Sequence, residues 1–445
     1  MGKPEKKLTK KLAIALAGTA LALLFSCAST GSFADIDHDL RNSNFATGIS
    51  RLESKKSSLY NNRDTILYNL DMGMLYHYAE LHAESAVLLQ KAEYAIEEAF
   101  TKSISQEIAT YLINDNTRDY SGEDYEDIYI NAFNALNYHH QGKSDGAMVE
   151  IRRMNNKLQA LSQRHGAELT NLQKKAIEEN NSQLPSSLSA SSRFNNSAFA
   201  RYLGMLFYRN IGLYDEARID RDYLLAAFAN APSIYYNQVP QSISSEMEIP
   251  KGLARLNMVA FSGLSPVKKE TVIRIPLLNG HWIRIAYPEM ESRHSEVQKI
   301  QLEMDRGDIF QLELLEDIDA VAKETFKTRQ QIIYLKTVIR SVVKSVSSSA
   351  FDVASKETEG GESLVFGLLS LFTQVAAEAS EQADVRISRF FPGKVYVGGI
   401  NLPPGTYSFS INYYNAQGHV VASIRHENME INEYNLNLAQ AVCLR

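Results

Sequence analysis

The spacing of apolar residues changes near Pro232, and that change constrains the fold more than any single motif in the chain. From Gly48 to Ala231 apolar residues recur every three or four positions, the period of helices that bury one face. Beyond Pro232 they alternate. Thr271 to Leu277 and His281 to Tyr287 alternate around Asn279-Gly280, a dipeptide suited to the tight turn of a β-hairpin. Val297 to Leu302 adds a strand before the turn Arg306-Gly307-Asp308. Helical spacing returns from Leu314 to about Val346 and again from Leu364 to about Gln382, and strands follow from Lys394 to Leu444. At 445 residues the chain has room for more than one sizeable core. The expected fold is α+β and multidomain: a helical repeat domain over 48–235, then an antiparallel β-sandwich-like domain over 250–445 with a helical hairpin inserted at about 314–382.

Three segments of the helical half share a pattern. Leu70 to Tyr76 precedes Ala83 to Leu89; Ala135 to Tyr138 precedes Gly142 and Gly146-Ala147; Tyr202 to Tyr208 precedes Gly212 to Ala217. Each reads as a helix bearing an aromatic residue, a turn, and a second helix with a small residue at the contact. The pattern resembles the tetratricopeptide (TPR) repeat, with Ser85 where Ala is usual. The units lie 62 and 70 residues apart, so further helices or insertions separate them. Ser182 to Asn196, rich in serine, reads as a loop.

The N-terminus carries Lys3, Lys6, Lys7, Lys10 and Lys11, then an uncharged run from Leu12 to Phe25, the form of a secretory signal. Leu24-Phe25-Ser26-Cys27 resembles the lipobox of bacterial lipoproteins, which implies cleavage after residue 26, lipidation of Cys27 and attachment to a membrane. Residues 27–47 then read as a flexible tether. The alternative is an ordinary signal peptide cut near Ala28 to Ser32. The formal charge is −6, and removing residues 1–26, with five Lys and Glu5, leaves −10, which argues against a nucleic-acid partner. Of the two cysteines, Cys443 has no internal disulfide partner once Cys27 is acylated.

Four further stretches together resemble a family of bacterial lipoproteins of uncharacterised activity, with a TPR-like helical half and a β-rich C-terminal half. They are Tyr120 to Glu126, continuing through Ala135 to Tyr138 and Val149 to Asn155; Gly263 to Glu270; Leu315 to Ala322; and Ala383 to Arg386 with Phe391-Pro392 and Leu402 to Gly405. The resemblance implies a place in the cell envelope, and Ala28 rather than Asp after Cys27 suggests the outer membrane, with the body facing the periplasm.

Motifs for catalysis are missing. Among ten histidines no HExxH occurs; His77 and His82 fall on different helix faces, and His139-His140 cannot converge on one metal from a helix, so both pairs read as surface or groove residues. No nucleophile elbow, phosphate-binding loop or dinucleotide fingerprint is present. Glu123, Asp124, Glu126 and Asp127 suit a helix start, and Arg152-Arg153 suit ion pairing or a partner's carboxylate. Tyr76, Tyr138 and Tyr208, with Arg152 and Arg153, are the candidate partner-binding residues. The expectation is a non-enzymatic membrane-anchored scaffold holding a protein partner, with no cofactor, metal or small-molecule ligand. The alternatives are a peptidoglycan- or glycan-binding protein acting through the β domain, and an envelope hydrolase with dispersed catalytic residues.

Overall fold

The structure is a computed structural model and describes residues 32–105, 117–180, 192, 194–276, 282–354 and 382–445. Cys27, Asn279-Gly280, nearly all of the Ser-rich loop and the expected helix from Leu364 lie outside the described residues. Among the described residues, an all-helical N-terminal half precedes a mostly β C-terminal half.

Helices α1 (Ala34–Arg41), α2 (Phe45–Ser54) and α3 (Lys56–Leu59) open the chain. Three hairpins follow: α4 (Thr65–Tyr78) with α5 (His82–Ser105), α6 (Asp124–His140) with α7 (Ser144–Arg164), and, after α8 (Gly166–Asn180), α9 (Ala198–Asn210) with α10 (Tyr214–Asn230). The hairpins pack on one another in chain order. Their turns are the same at the backbone. The amides of Leu81, Lys143 and Leu213 bond the carbonyls of Tyr76, Tyr138 and Tyr208 at 2.9, 2.8 and 2.9 Å. The residue before each donor is left-handed: Glu80 at φ 61°, Gly142 at 70° and Gly212 at 80°. The three tyrosines therefore hold equivalent places. Gly204 sits where a Cβ would lie 2.0 Å from the Asp220 carboxylate, so only glycine lets α9 and α10 close this far.

Seven strands form one sheet in the order β8-β7-β4-β5-β6-β1-β9: β1 (Ala254–Leu264), β4 (Lys299–Met304), β5 (Ile309–Asp317), β6 (Pro392–Leu402), β7 (Gly405–Tyr414), β8 (Val420–Ile431) and β9 (Asn437–Cys443). Strands β2 (Val267–Pro276) and β3 (Trp282–Glu291) pair separately as an antiparallel ribbon, with Pro276 opposite Trp282, which places the hairpin where the alternation predicts it. Strands from both sides of the insertion interleave in the large sheet.

Three expectations need correction. The sheet is mixed rather than an antiparallel sandwich, because β1 runs parallel to β9, and it curls until β8 comes alongside β9. Every residue of β1 is buried. Leu256, Met258 and Ala260 face the inside of the curl with Ile300 and Ile411, while Val259 and Phe261 face the helices. The Phe261 ring lies 5.2 Å from Phe133 and 5.7 Å from Phe199, so helices cover the face that a second sheet would cover in a sandwich. Second, Leu314 to Asp317 complete β5, and the long helix α11 (Ile318–Ala354) starts only afterwards. The Asp317 carboxylate accepts from the Ala320 amide at 3.1 Å and caps it. Third, residues 33–47 are not a free tether. Ile36 and Leu40 are fully buried, and Asp37 pairs with Arg389 at 2.8 Å.

Buried carboxylates join the halves. Glu316 of β5 accepts from Tyr129 (2.5 Å), Tyr235 (2.5 Å), Ser197 (2.7 Å) and the Phe199 amide (3.3 Å). Glu246 takes Arg255 at 2.7 Å, Asn257 at 2.8 Å and Arg209 at 2.5 Å. Asp71 takes Tyr60 (2.7 Å), Ser388 Oγ (2.7 Å) and the Arg389 amide (2.8 Å). Such groups are tolerated inside a protein because donors replace the lost water.

Candidate docking surface and charged cavity

The equivalent tyrosines are at least half-buried, and two of them reach beyond their own hairpins. Tyr208 is buried, and Tyr76 and Tyr138 are half-buried. The Tyr76 hydroxyl donates to Glu53 at 3.4 Å, and the Tyr138 ring covers Gly146. Burial, with the nearby Asp220 carboxylate, pushes the Tyr208 phenol up, and the exposed Arg152 lies against it. Arg153 pairs with Glu93 at 3.1 Å and Glu150 at 3.6 Å. Of the five, Arg152 lies by Tyr208 and the Arg153 charge acts on Tyr138, whereas Tyr76 bonds Glu53 instead.

Arg153 begins a ladder of charge along α7. Lys157 bonds Glu93 and Asp127, both at 2.7 Å; Arg164 bonds Asp127 at 2.8 Å; His165 bonds Asp124 at 3.0 Å. The ladder ends at a cavity of about 520 Å³ between the helices, β2 and α11, lined among others by Glu123, Asp124, Lys268, Arg329, Asp384 and Arg386. Glu123 pairs with Lys268 and lies 3.6 Å from Arg329; Arg386 pairs with Asp384 at 2.7 Å and Asp64 at 3.0 Å. Burial pushes Asp124 and Asp384 up, but His165 and Arg164 at the first, and Arg386 and Lys268 at the second, outweigh it and hold both below the usual carboxylate range. Carboxylates held ionised this way serve as counter-charges, whereas proton transfer needs a group poised near the working pH. Glu126 is poised, pushed up to about 7 by burial and by the Glu123 charge. It is nevertheless sealed off, with 0% exposure, accepting from Tyr120 (2.8 Å) and the amides of Glu123 (2.8 Å) and Ser388 (2.7 Å).

The histidines depart from the sequence reading. His77 is buried, its Nδ1 2.7 Å from Asn137 Oδ1 and its Nε2 2.8 Å from Gln440 Nε2. His82 stacks on His140 with ring centres 4.4 Å apart. The turn geometry thus brings the two pairs together against β9. Among the described residues, no group of three or more His, Cys, Asp or Glu is arranged to hold a metal ion.

The exposed surface carries a repeat that the sequence analysis missed. Val87 is 52% exposed, Val149 44% and Ile219 54%, and each lies eleven residues after the tyrosine of its hairpin. The second helix of every hairpin thus shows water an aliphatic side chain at one equivalent place, with Tyr94, Tyr223 and Leu225 exposed on the same helices. Alignment on Tyr76, Tyr138 and Tyr208 is the signal that finds it. A second cleft, of about 390 Å³, lies between the third hairpin turn and the β8–β9 turn, lined by Tyr214, Tyr434, Asn210, Asn432, Asn435 and Lys251 among others.

Comparison of the chain with protein-family models, with curated proteins and with solved structures gave no match.

Proposed function

We propose that this protein is a lipid-anchored scaffold of the cell envelope, held at the outer membrane through Cys27 and facing the periplasm. Its three hairpins act as a TPR-like solenoid that binds a protein partner, and it carries out no reaction of its own. The repeated exposed aliphatic position carries this reading: Val87, Val149 and Ile219 keep one chemical character at one structural place, where a solvated helix face needs only polar residues. The test is affinity capture from detergent-solubilised membranes with the wild type and with the triple variant Val87→Glu/Val149→Glu/Ile219→Glu. The wild type should retain a reproducible partner that the variant loses while keeping its far-UV circular dichroism. Equal capture by both would refute the assignment, and no reproducible partner would count strongly against the scaffold itself.

The second cleft favours one other reading, glycan binding. Tyr434 is 87% exposed and Tyr214 55%, and Asn210, Asn432 and Asn435 line the same cleft, a pairing of flat apolar faces and hydrogen-bonding groups that suits a sugar ring. Co-sedimentation of the protein with purified peptidoglycan, lost in Tyr434→Ala/Tyr214→Ala, would promote this reading over the scaffold.

A further inference from the structure

The docking of α1 shortens the reach of the proposed anchor. Phe33 meets Tyr60 edge-on at 5.9 Å and Phe390 at 6.2 Å, and the Arg389 guanidinium lies 4.7 Å from its ring centre. Behind it Ile36 and Leu40 are fully buried, Asp37 pairs with Arg389, and Arg445 bonds the Arg41 carbonyl at 2.9 Å. The chain is therefore pinned to the body from Phe33 onward. Residues 28–32 alone separate Cys27 from that point. Fully extended, the six steps from Cys27 to Phe33 span at most about 22 Å. A compact body of this length has a radius of gyration of roughly 22 Å and so a diameter well beyond that reach. A lipid on Cys27 cannot swing round to another face.

We propose that the face formed by α1, α2, α3 and the turn through Arg63 lies against the phospholipid headgroups of the membrane that holds the protein. The proposal rests on lipidation of Cys27. The side chains on this face suit such a neighbour. Lys56 and Arg63 are exposed among Ser50, Ser54, Ser57, Ser58, Asn61 and Asn62, while the exposed Arg51 is held by Asp39 at 2.6 Å. Asp35 and Glu53 share the face, and Asp35 is neutralised by Lys55 at 2.7 Å. The result is a polar surface with cations within reach of phosphates, held there by the tether rather than by net charge. Its consequence is orientation: the hairpin stack leaves the membrane with its first hairpin nearest the lipid and its third farthest away.

The chain's cysteine content makes the test direct, because Cys443 is buried and an acylated Cys27 takes no label. The acylated protein, carrying a nitroxide at Ser57→Cys or at Asp222→Cys, is reconstituted in phosphatidylethanolamine–phosphatidylglycerol vesicles doped with a gadolinium-chelating lipid. Asp222 is exposed on α10, two hairpins along the stack. The expected result is loss of spectral intensity at Ser57, through relaxation by headgroup gadolinium, with the Asp222 signal unchanged. Equal intensity at the two sites, in protein whose Cys27 is shown by mass spectrometry to be acylated, would overturn the orientation and leave the anchor standing. Mass spectra of the membrane-purified protein showing an unmodified Cys27 would overturn both.

Discussion

His77 lends the fold a pH dependence that one substitution can isolate. Its ring is 1% exposed and packs edge-on against Phe133 at 5.0 Å. Asn137 Oδ1 takes the Nδ1 proton, and the Gln440 amide nitrogen faces Nε2, so a second proton would set donor against donor. Burial, aided by the neighbouring His82 and His140, lowers its pKa to about 3, although the Asn137 bond works the other way. The unfolded chain takes up this proton below its ordinary value of about 6.5 and the folded chain does not. The contribution of His77 is therefore complete above about pH 6.5 and declines as the pH falls toward 3. Linkage gives a loss of roughly 2 kcal/mol between pH 7.5 and pH 5 from this residue. Asp71, raised to about 6 chiefly by burial, and Glu126, raised to about 7, have the opposite sign: each favours the fold below the ordinary carboxylate range and loses that contribution as the pH rises through its folded value. Both stay in His77→Asn, so comparing the two proteins cancels them. In urea titrations His77→Asn should start less stable at pH 7.5, having lost ring packing, and then fall by about 2 kcal/mol less than the wild type on acidification to pH 5. Parallel profiles would refute the argument, as would an NMR titration placing His77 near its ordinary value.

Other substitutions probe the packing. Glu80→Gly relieves a left-handed residue, worth about 1–2 kcal/mol, against a larger entropy in the unfolded chain, and should raise stability by about 0.5–1 kcal/mol in urea titrations. Gly204→Ala drives a methyl group into Asp220 and disturbs its 2.8 Å pair with Arg201, so the same assay should show a loss of about 2–4 kcal/mol. Glu316→Ala strands two tyrosine hydroxyls, Ser197 and an amide inside the joint between the halves, at a cost of about 3–5 kcal/mol; Glu316→Gln, which keeps an acceptor there, should lose distinctly less.

The repeat was legible because its signals are local. Tyr76, Tyr138 and Tyr208 each precede their second helix by six residues, and Gly142 and Gly212 mark two of the turns. The turn of the first hairpin hides behind Glu80, which adopts the glycine conformation without being glycine. What stayed hidden depends on distant partners. Helix α1 has a polar composition, and only its tertiary neighbours, Phe390 and Arg389, show why it folds back. The β5–α11 boundary moved because Leu314-Leu315 suits either period, and the sheet decided it through the pairing of Leu314 with Tyr396. The parallel β1–β9 pair leaves no mark in either strand, since alternation along a strand says nothing of its partner's direction. Among the candidate residues, aromatic content drew attention to the tyrosines that hold the hairpins together, whereas Val87, Val149 and Ile219 emerge only once the turns are superposed.

The order of the sheet dictates when this protein can finish folding. Strand β1 lies between β6 and β9, and Asn437 bonds the carbonyl of Arg255 across 182 residues of sequence. A chain emerging N-terminus first can close its helical hairpins from neighbours already made, but β1 must wait for residues 437–443 before its second edge is paired. During that interval an apolar strand stands open, the condition under which chains misassociate. A chain cut short before Asn437 would lack the strand that covers β1, so truncation at that point should lead to aggregation rather than to a trimmed, working protein.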